Sequence, residues 1–344
     1  MPPIMRPIVR LAVMLILLPV ALVSAAAADE AQPSWDDWLA GVRKEAAEKG
    51  IRNDIIEQTL TGLKPLERVL QSDRNQAEFV ETLETYLAKR VSPARVSSGR
   101  EMMSTYRDLL DQVSAQYGVQ PQYIVAIWGM ETNYGKYFPD ENAIQALATL
   151  AYDPRRGGYF RKELFAALEI LNKDYISAPE MKASWAGAMG QPQFMPSSYL
   201  AYAQDFDGDG HRDIWSDLGD VFASIANYLK RYDWNGNEPW GMEVKLPEGF
   251  ESRLAEVGDY DEGGCRAMHS HSRALPLSEW QAMGVRDVNG GDLGGDPRRA
   301  TLVEPDGESG RAFLAFENYR AILRYNCANY YAIAVGMLAD EVNQ

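Results

Sequence analysis

The residues whose type and spacing can do chemistry begin with Glu131. Between Pro121 and Gly135, Ile124, Ile127 and Trp128 recur at i, i+3 and i+4, and Glu131 takes the i+7 position of the same stripe. A helix puts these positions on one face, and a surface helix places an apolar residue there. Pro121 suits the first turn of such a helix and Gly135 its end. A carboxylate on this stripe is expected to be buried, and burial raises its pKa by disfavouring the charged form. A carboxylic acid still protonated near neutral pH can give its proton to a leaving oxygen, as glycosidic-bond cleavage requires. Spacing by itself favours a plainer reading, a buried glutamate held by a hydrogen bond or ion pair and doing no chemistry.

A second group lies further along. Asp205, Asp207 and Asp209 put acidic oxygens at positions 1, 3 and 5 of a loop that opens like an EF-hand, with Gly210 at position 6 for the sharp turn. His211 stands where a backbone carbonyl serves as ligand, and Asp213 at position 9. Position 12 is Ser216 in place of a bidentate glutamate, so a closed site needs a longer loop. Asp220 is the preferred closing ligand and Asp217 the alternative. Hard Ca2+ suits these oxygens, and its role would be structural, stapling the loop to a helix beginning near Asp220. A solvated acidic turn is the competing reading. His211, His269 and His271 are the only histidines, too few for a multi-histidine zinc site, and Cys265 with His269 and His271 fits no standard metal spacing. No organic cofactor is expected. Cys265 and Cys327 are equally readable as a disulfide, which export permits, or as two unpaired buried thiols.

The elements that must position these groups read mainly as helices. Arg6 and Arg10, the apolar run Leu11 to Val23 and small residues Ser24 to Ala28 have the order of a secretory signal peptide over 1–28. The run is short for a spanning helix, which needs ~20 residues, and no cysteine near the cleavage region supports a lipid anchor. Helical spacing follows in Trp35, Trp38, Leu39 and Val42, in Phe79, Leu83, Tyr86 and Leu87, and in Tyr106, Leu109, Leu110 and Val113, giving an N-terminal helical domain over 29–118. A helical core with the acidic loop occupies 119–240. Met242 to Leu246, Ala300 to Val303 and Ala312 to Phe316 read as strands among glycine-rich turns, a small β subdomain over 241–324. A final helix runs from Asn329 to about Val342 within a returning segment, 325–344. The net charge of −15 argues against nucleic acid and anionic membranes, both of which reward basic patches. Hydrophobic residues at 46% of 344 are ample for a core.

Three motifs in this order carry a resemblance: Gly129 to Gly135 around Glu131, Ser184 to Tyr199 with Gly190-Gln191-Pro192-Gln193-Phe194, and the acidic loop. With Tyr325-Asn326 near the end, the chain resembles the lytic murein transglycosylase B family, glycoside hydrolase family 103, from about Trp35 to the C-terminus. The resemblance implies a lysozyme-like helical core with an added helical domain and a small β subdomain. It implies that Glu131 is the sole catalytic carboxylate, protonating the oxygen between N-acetylmuramic acid and N-acetylglucosamine. The same group would then take the proton of the muramic 6-hydroxyl as a 1,6-anhydro ring closes. Hydrolytic glycosidases generally need two carboxylates, and here the substrate's own hydroxyl replaces the second.

By the same motif matching, Ser184, Gln193, Tyr228, Tyr325, Asn326 and Tyr331 line the site, their hydroxyls and amides gripping sugar and their rings stacking on it. Gln191-Pro192 departs from the small, glycine-containing pair of the family pattern and should stiffen the loop before Gln193. Cys327 beside Asn326 is a second departure, and a disulfide to Cys265 would tie the β subdomain to the cleft wall. The implied partner is peptidoglycan glycan, met in the periplasm by a monomer open to cell-wall protein complexes. The competing functions are a hydrolytic muramidase and an inactive, calcium-stabilised peptidoglycan-binding protein.

Overall fold

The structure, a computed structural model, describes residues 32–75, 81–250, 256, 258, 264–294, 297–307 and 310–344. The signal-peptide segment, Phe79 and part of the turn ending at Gly295 lie outside the described residues. Fourteen helices occur among the described residues. The first six are α1 (Trp35–Glu48), α2 (Asn53–Leu60), α3 (Glu67–Asn75), α4 (Leu83–Arg90), α5 (Pro93–Thr105) and α6 (Arg107–Tyr117). The next five are α7 (Pro121–Thr132), α8 (Ala143–Tyr152), α9 (Gly157–Asn172), α10 (Pro196–Tyr202) and α11 (Leu218–Lys230). The last are α12 (Leu277–Ala282), α13 (Glu317–Tyr325) and α14 (Asn329–Val342). None is long and apolar enough to cross a membrane.

Local chemistry sets several helix starts. Pro93 and Pro121 stand in the first turns of α5 and α7, where a missing N–H costs nothing. Ser92 caps α5 by accepting from the Arg95 amide. α7 is the helix on which the fold turns. Its residues from Tyr123 to Met130 are all buried, because α5, α11 and α14 pack around it. A helix enclosed on all sides has to be apolar all round. The stripe Ile124, Ile127, Trp128 is therefore part of a mostly apolar cylinder, and Glu131 is its one carboxylate.

Two helical cores flank the site. One gathers Leu83, Val96, Leu110 and Val113 from α4 to α6 around α7, α11 and α14. The other gathers Leu39, Val42, Ile55 and Leu60 from α1 and α2 onto Leu147, Leu164 and Leu168 of α8 and α9. Residues 35–60 and residues 83–117 thus serve different cores, each shared with later helices. A division at 118 and 119 cuts through both, and Trp35–Gln344 forms one compact unit.

The expected strands are present as β3 (Gly241–Lys245), β6 (Arg299–Val303) and β7 (Ala312–Ala315). With the two-residue strands β4 (Leu275–Pro276) and β5 (Arg286–Asp287) they form an antiparallel sheet in the order β4-β6-β7-β3-β5. Ala300, Leu302, Ala312 and Leu314 face a small core with Trp280 and Val285, while Val303, Phe313 and Ala315 face the helical core. Being covered on both faces explains why β7 is apolar throughout and β6 is buried from Ala300 to Val303, instead of alternating. A separate ribbon pairs β1 (Glu141–Asn142) with β2 (Lys182–Ala183), joining the exit of α7 to the entry of the Ser184 loop. Cys265 and Cys327 are bonded, with Cα atoms 5.6 Å apart. The bridge fastens the segment before β4 to the turn between α13 and α14.

Candidate active site

α7 ends one residue beyond Glu131. The stop is made by Asn133 in the left-handed region at φ 51°, ahead of the expected Gly135, and the Asn133 amide donates to the Gly129 carbonyl at 3.1 Å. Tyr134 and Gly135 also have positive φ, so the chain turns back at once. Gly129 makes room for this, since a Cβ there would lie 2.5 Å from the Tyr134 ring. Glu131 therefore sits where the helix emerges from its packing, half-buried, with its neighbours along α7 buried.

Tyr331, in the first turn of α14, donates its hydroxyl to Glu131 Oε1 at 2.6 Å. Burial pushes the Glu131 carboxyl up from 4.5 to about 7, while the Tyr331 hydrogen bond and the Arg90 charge pull it back. Among the described residues, none of these influences is a second carboxylate. Burial and the Glu131 charge hold the Tyr331 and Tyr325 hydroxyls well above the ordinary tyrosine range. Tyr86 also feels Glu131, and the Arg90 guanidinium lies over its ring at 5.6 Å. Tyr86 and Arg90 went unnoticed in the sequence because Tyr86 sits at ordinary helical spacing and Arg90 merely ends a helix.

The loop from Ser184 to Phe194 forms the facing wall. Ser184 Oγ accepts from the Ala188 amide at 3.1 Å, closing its own turn, and the structure gives it no hydrogen bond to Glu131. Gln193 stands at φ 52°, with its side-chain amide donating to the Gly190 carbonyl at 2.8 Å. Tyr325 donates to the Pro192 carbonyl at 2.7 Å, and Tyr228 donates to the Arg324 carbonyl at 2.5 Å. The Tyr228 and Tyr325 rings lie 4.7 Å apart, and Phe194 lies within 6 Å of both. These two tyrosines join the wall to α11 and α13 through their hydroxyls; Tyr228 is buried among the rings of Phe194, Tyr202, Tyr232 and Tyr325, and Tyr325 is only partly buried. Asn326 is exposed at the end of α13, its backbone N–H donating to the Ile322 carbonyl at 3.1 Å. Gln191, read from sequence only as a stiffening departure, is buried and hydrogen-bonded to Trp128 of α7.

The acidic loop brings Asp205, Asp207 and Asp209 together, with one carboxylate oxygen of each within 4.8 Å of the others. Calcium–oxygen distances of about 2.3–2.6 Å bridge oxygen pairs up to roughly 5 Å apart, and carboxylate oxygens are the donors the hard cation takes, so the cluster fits the ion the loop suggests. The backbone is shaped for this: Asp205 accepts from the Gly208 and Gly210 amides at 2.7 and 2.9 Å, and Asp209 from the His211 amide at 2.7 Å. Asp220 is placed differently from expectation. It is buried outside the cluster, and its two oxygens accept from the Phe206 and Asp213 amides at 2.6 Å each. It ties the two ends of the loop together through the backbone. Asp217, the alternative closing ligand, caps α11 by accepting from the Asp220 amide at 2.9 Å. The His211 side chain is exposed, outside the carboxylate cluster.

Comparison with known proteins bears on this geometry. The transglycosylase SLT domain family matches residues 34–340. The membrane-bound lytic murein transglycosylase B of Escherichia coli strain K12 is 31% identical over 317 residues, covering 88% of this chain and 81% of that protein. SltB3 from Pseudomonas aeruginosa, solved with NAG-anhNAM-pentapeptide, is 42% identical with a TM-score of 0.82, over 90% of this chain and 80% of that one. Escherichia coli Slt35, solved in complex with calcium, is 30% identical with a TM-score of 0.73, over 89% and 92% of the two chains.

Proposed function

The chain belongs to the transglycosylase SLT domain family, in its lytic murein transglycosylase B branch, and from that membership we infer that it is a lytic transglycosylase acting on peptidoglycan. We propose that Glu131 alone carries the acid and base steps. The observation that bears most weight is its position: the one carboxylate of a mostly apolar helix, emerging at the helix end, with a pKa raised to about 7.

At neutral pH a large share of Glu131 is protonated and can give its proton to the oxygen linking N-acetylmuramic acid to N-acetylglucosamine. As that bond breaks, the anomeric carbon gains positive character and the carboxyl becomes a carboxylate. The Tyr331 hydrogen bond steadies the charged form at this moment. The carboxylate then accepts the proton of the muramic 6-hydroxyl, whose oxygen bonds to the anomeric carbon. A 1,6-anhydro end results, Glu131 is protonated again, and no water is consumed. Gln193 and Asn326 offer amides, Ser184 a hydroxyl and Tyr325 the open part of its ring to the sugars, and Tyr228 backs the Tyr325 ring from within.

We assign Asp205, Asp207 and Asp209 to one structural Ca2+ ion, which neutralises their mutual repulsion when bound and takes no part in the proton transfers. We place the enzyme in the periplasm as a monomer acting on glycan strands that carry peptides, and cell fractionation checks the compartment. The reading is tested on Glu131→Gln, which is expected to bind purified sacculi and release nothing from them. Release at the wild-type rate removes Glu131 from the mechanism.

A further inference from the structure

We propose that Gln191 is a positioning residue that sets the catalytic turn of α7, a proposal that rests on the role given to Glu131 above. Gln191 is buried, and both ends of its amide are engaged. Oε1 accepts from Trp128 Nε1 at 2.6 Å, and Nε2 donates to the Trp215 carbonyl at 2.9 Å. Its backbone is held as firmly: its amide donates to the Ile214 carbonyl at 2.8 Å, and its carbonyl accepts from Thr132 Oγ1 at 3.2 Å.

Trp128 and Thr132 lie three residues before and one after Glu131 on the same helix. One residue thus grips α7 on both sides of the acid, Trp128 through its side chain and Thr132 through its backbone carbonyl, and fixes the helix to the segment leaving the acidic loop. The grip leaves little slack. A Cβ at Gly190 would lie 2.6 Å from the Ile214 carbonyl oxygen, and a Cβ at Gly135 would lie 2.6 Å from Gln191 Oε1. The next two residues hold the wall, with the Pro192 carbonyl receiving Tyr325 and Gln193 set at positive φ. Gln191 therefore fixes the distance between the proton donor and the sugar-facing wall. That distance governs rate more than affinity, since a misplacement of about 1 Å can cost roughly a hundredfold.

The test compares three variants of the full-length enzyme on purified glycan strands, assayed well below their melting temperatures. Gln191→Met fills the space but loses both amide bonds. It is expected to lower kcat roughly ten- to a hundredfold with KM within about threefold, and to displace the alkaline limb of the pH–rate profile. Trp128→Phe removes the donor at the other end, and its loss combined with Gln191→Met should be less than the product of the two, as for groups acting together. Gln191→Glu supplies the rescue: protonated, a carboxylic acid accepts from Trp128 and donates to the Trp215 carbonyl like the amide, so its kcat should recover as pH falls. Wild-type kcat and pH profile in Gln191→Met would overturn the proposal, as would Gln191→Glu showing no recovery at acid pH. Unimpaired cleavage by Glu131→Gln would instead overturn the reading beneath it.

Discussion

Glu131 stands at the end of an enclosed, mostly apolar helix, and that place raises its affinity for a proton. A carboxylate on an apolar stripe is visible in a sequence, whereas Tyr331, 200 residues away, meets it only through the fold, and Gln191 reaches the same helix at Trp128, 63 residues away. The raised pKa of Glu131 leads to two predictions. The folded protein holds this proton more tightly than the unfolded chain, so stability falls as pH rises from about 4.5 to about 7 and is level above that. At about 1.4 kcal/mol per tenfold change in proton affinity, the charged form costs at most on the order of 3 kcal/mol. Glu131→Gln should therefore melt higher than wild type at pH 8 and close to it at pH 4, as read by calorimetry across pH; equal melting at both ends contradicts the burial argument. Tyr331→Phe removes the donor that favours the carboxylate. Its alkaline activity limb should move to higher pH and its kcat should fall roughly tenfold, and an unmoved limb would separate Tyr331 from the acid.

The same contrast holds for whole elements. The spacing of Asp205, Asp207 and Asp209 is local, and the structure clusters all three as the spacing predicts. The closing ligand was not legible, because Asp220 satisfies two loop amides at a distance in sequence that no loop template encodes. If the three carboxylates hold calcium, removing it costs the native state its binding free energy, about 2.7 kcal/mol when calcium stands a hundredfold above Kd. Chelation should lower the melting temperature by several degrees in the wild type and leave Asp205→Asn/Asp209→Asn unmoved. A chelator that changes neither would set the ion aside. The start of α7 at Pro121 and the span of α14 from Asn329 to Val342 were readable from the proline and the apolar periodicity, whereas α7 stops at Thr132, three residues ahead of Gly135, because Asn133 takes the left-handed turn. The ribbon of β1 and β2 was not, since two-residue strands carry no period.

On the scale of the molecule, the mainly helical class and the small sheet followed from periodicity, and the partition of the cores did not. Both α1 and α4 look like amphipathic surface helices, and nothing in their residues says that one packs on α8 and α9 and the other around α7. The disulfide was an open question because its cysteines stand 62 residues apart. Closing a loop of that length stabilises the fold by about 4 kcal/mol in the chain-entropy model. Cys265→Ala/Cys327→Ala should melt several degrees lower, and an unchanged melting curve would mean that the bridge adds nothing. The claim on which everything else depends is that one carboxyl group performs both proton transfers and water none. Mass spectrometry of the fragments released from purified peptidoglycan in isotopically labelled water tests it most directly. The account predicts 1,6-anhydromuramic ends without label; reducing muramic ends carrying the label would contradict it.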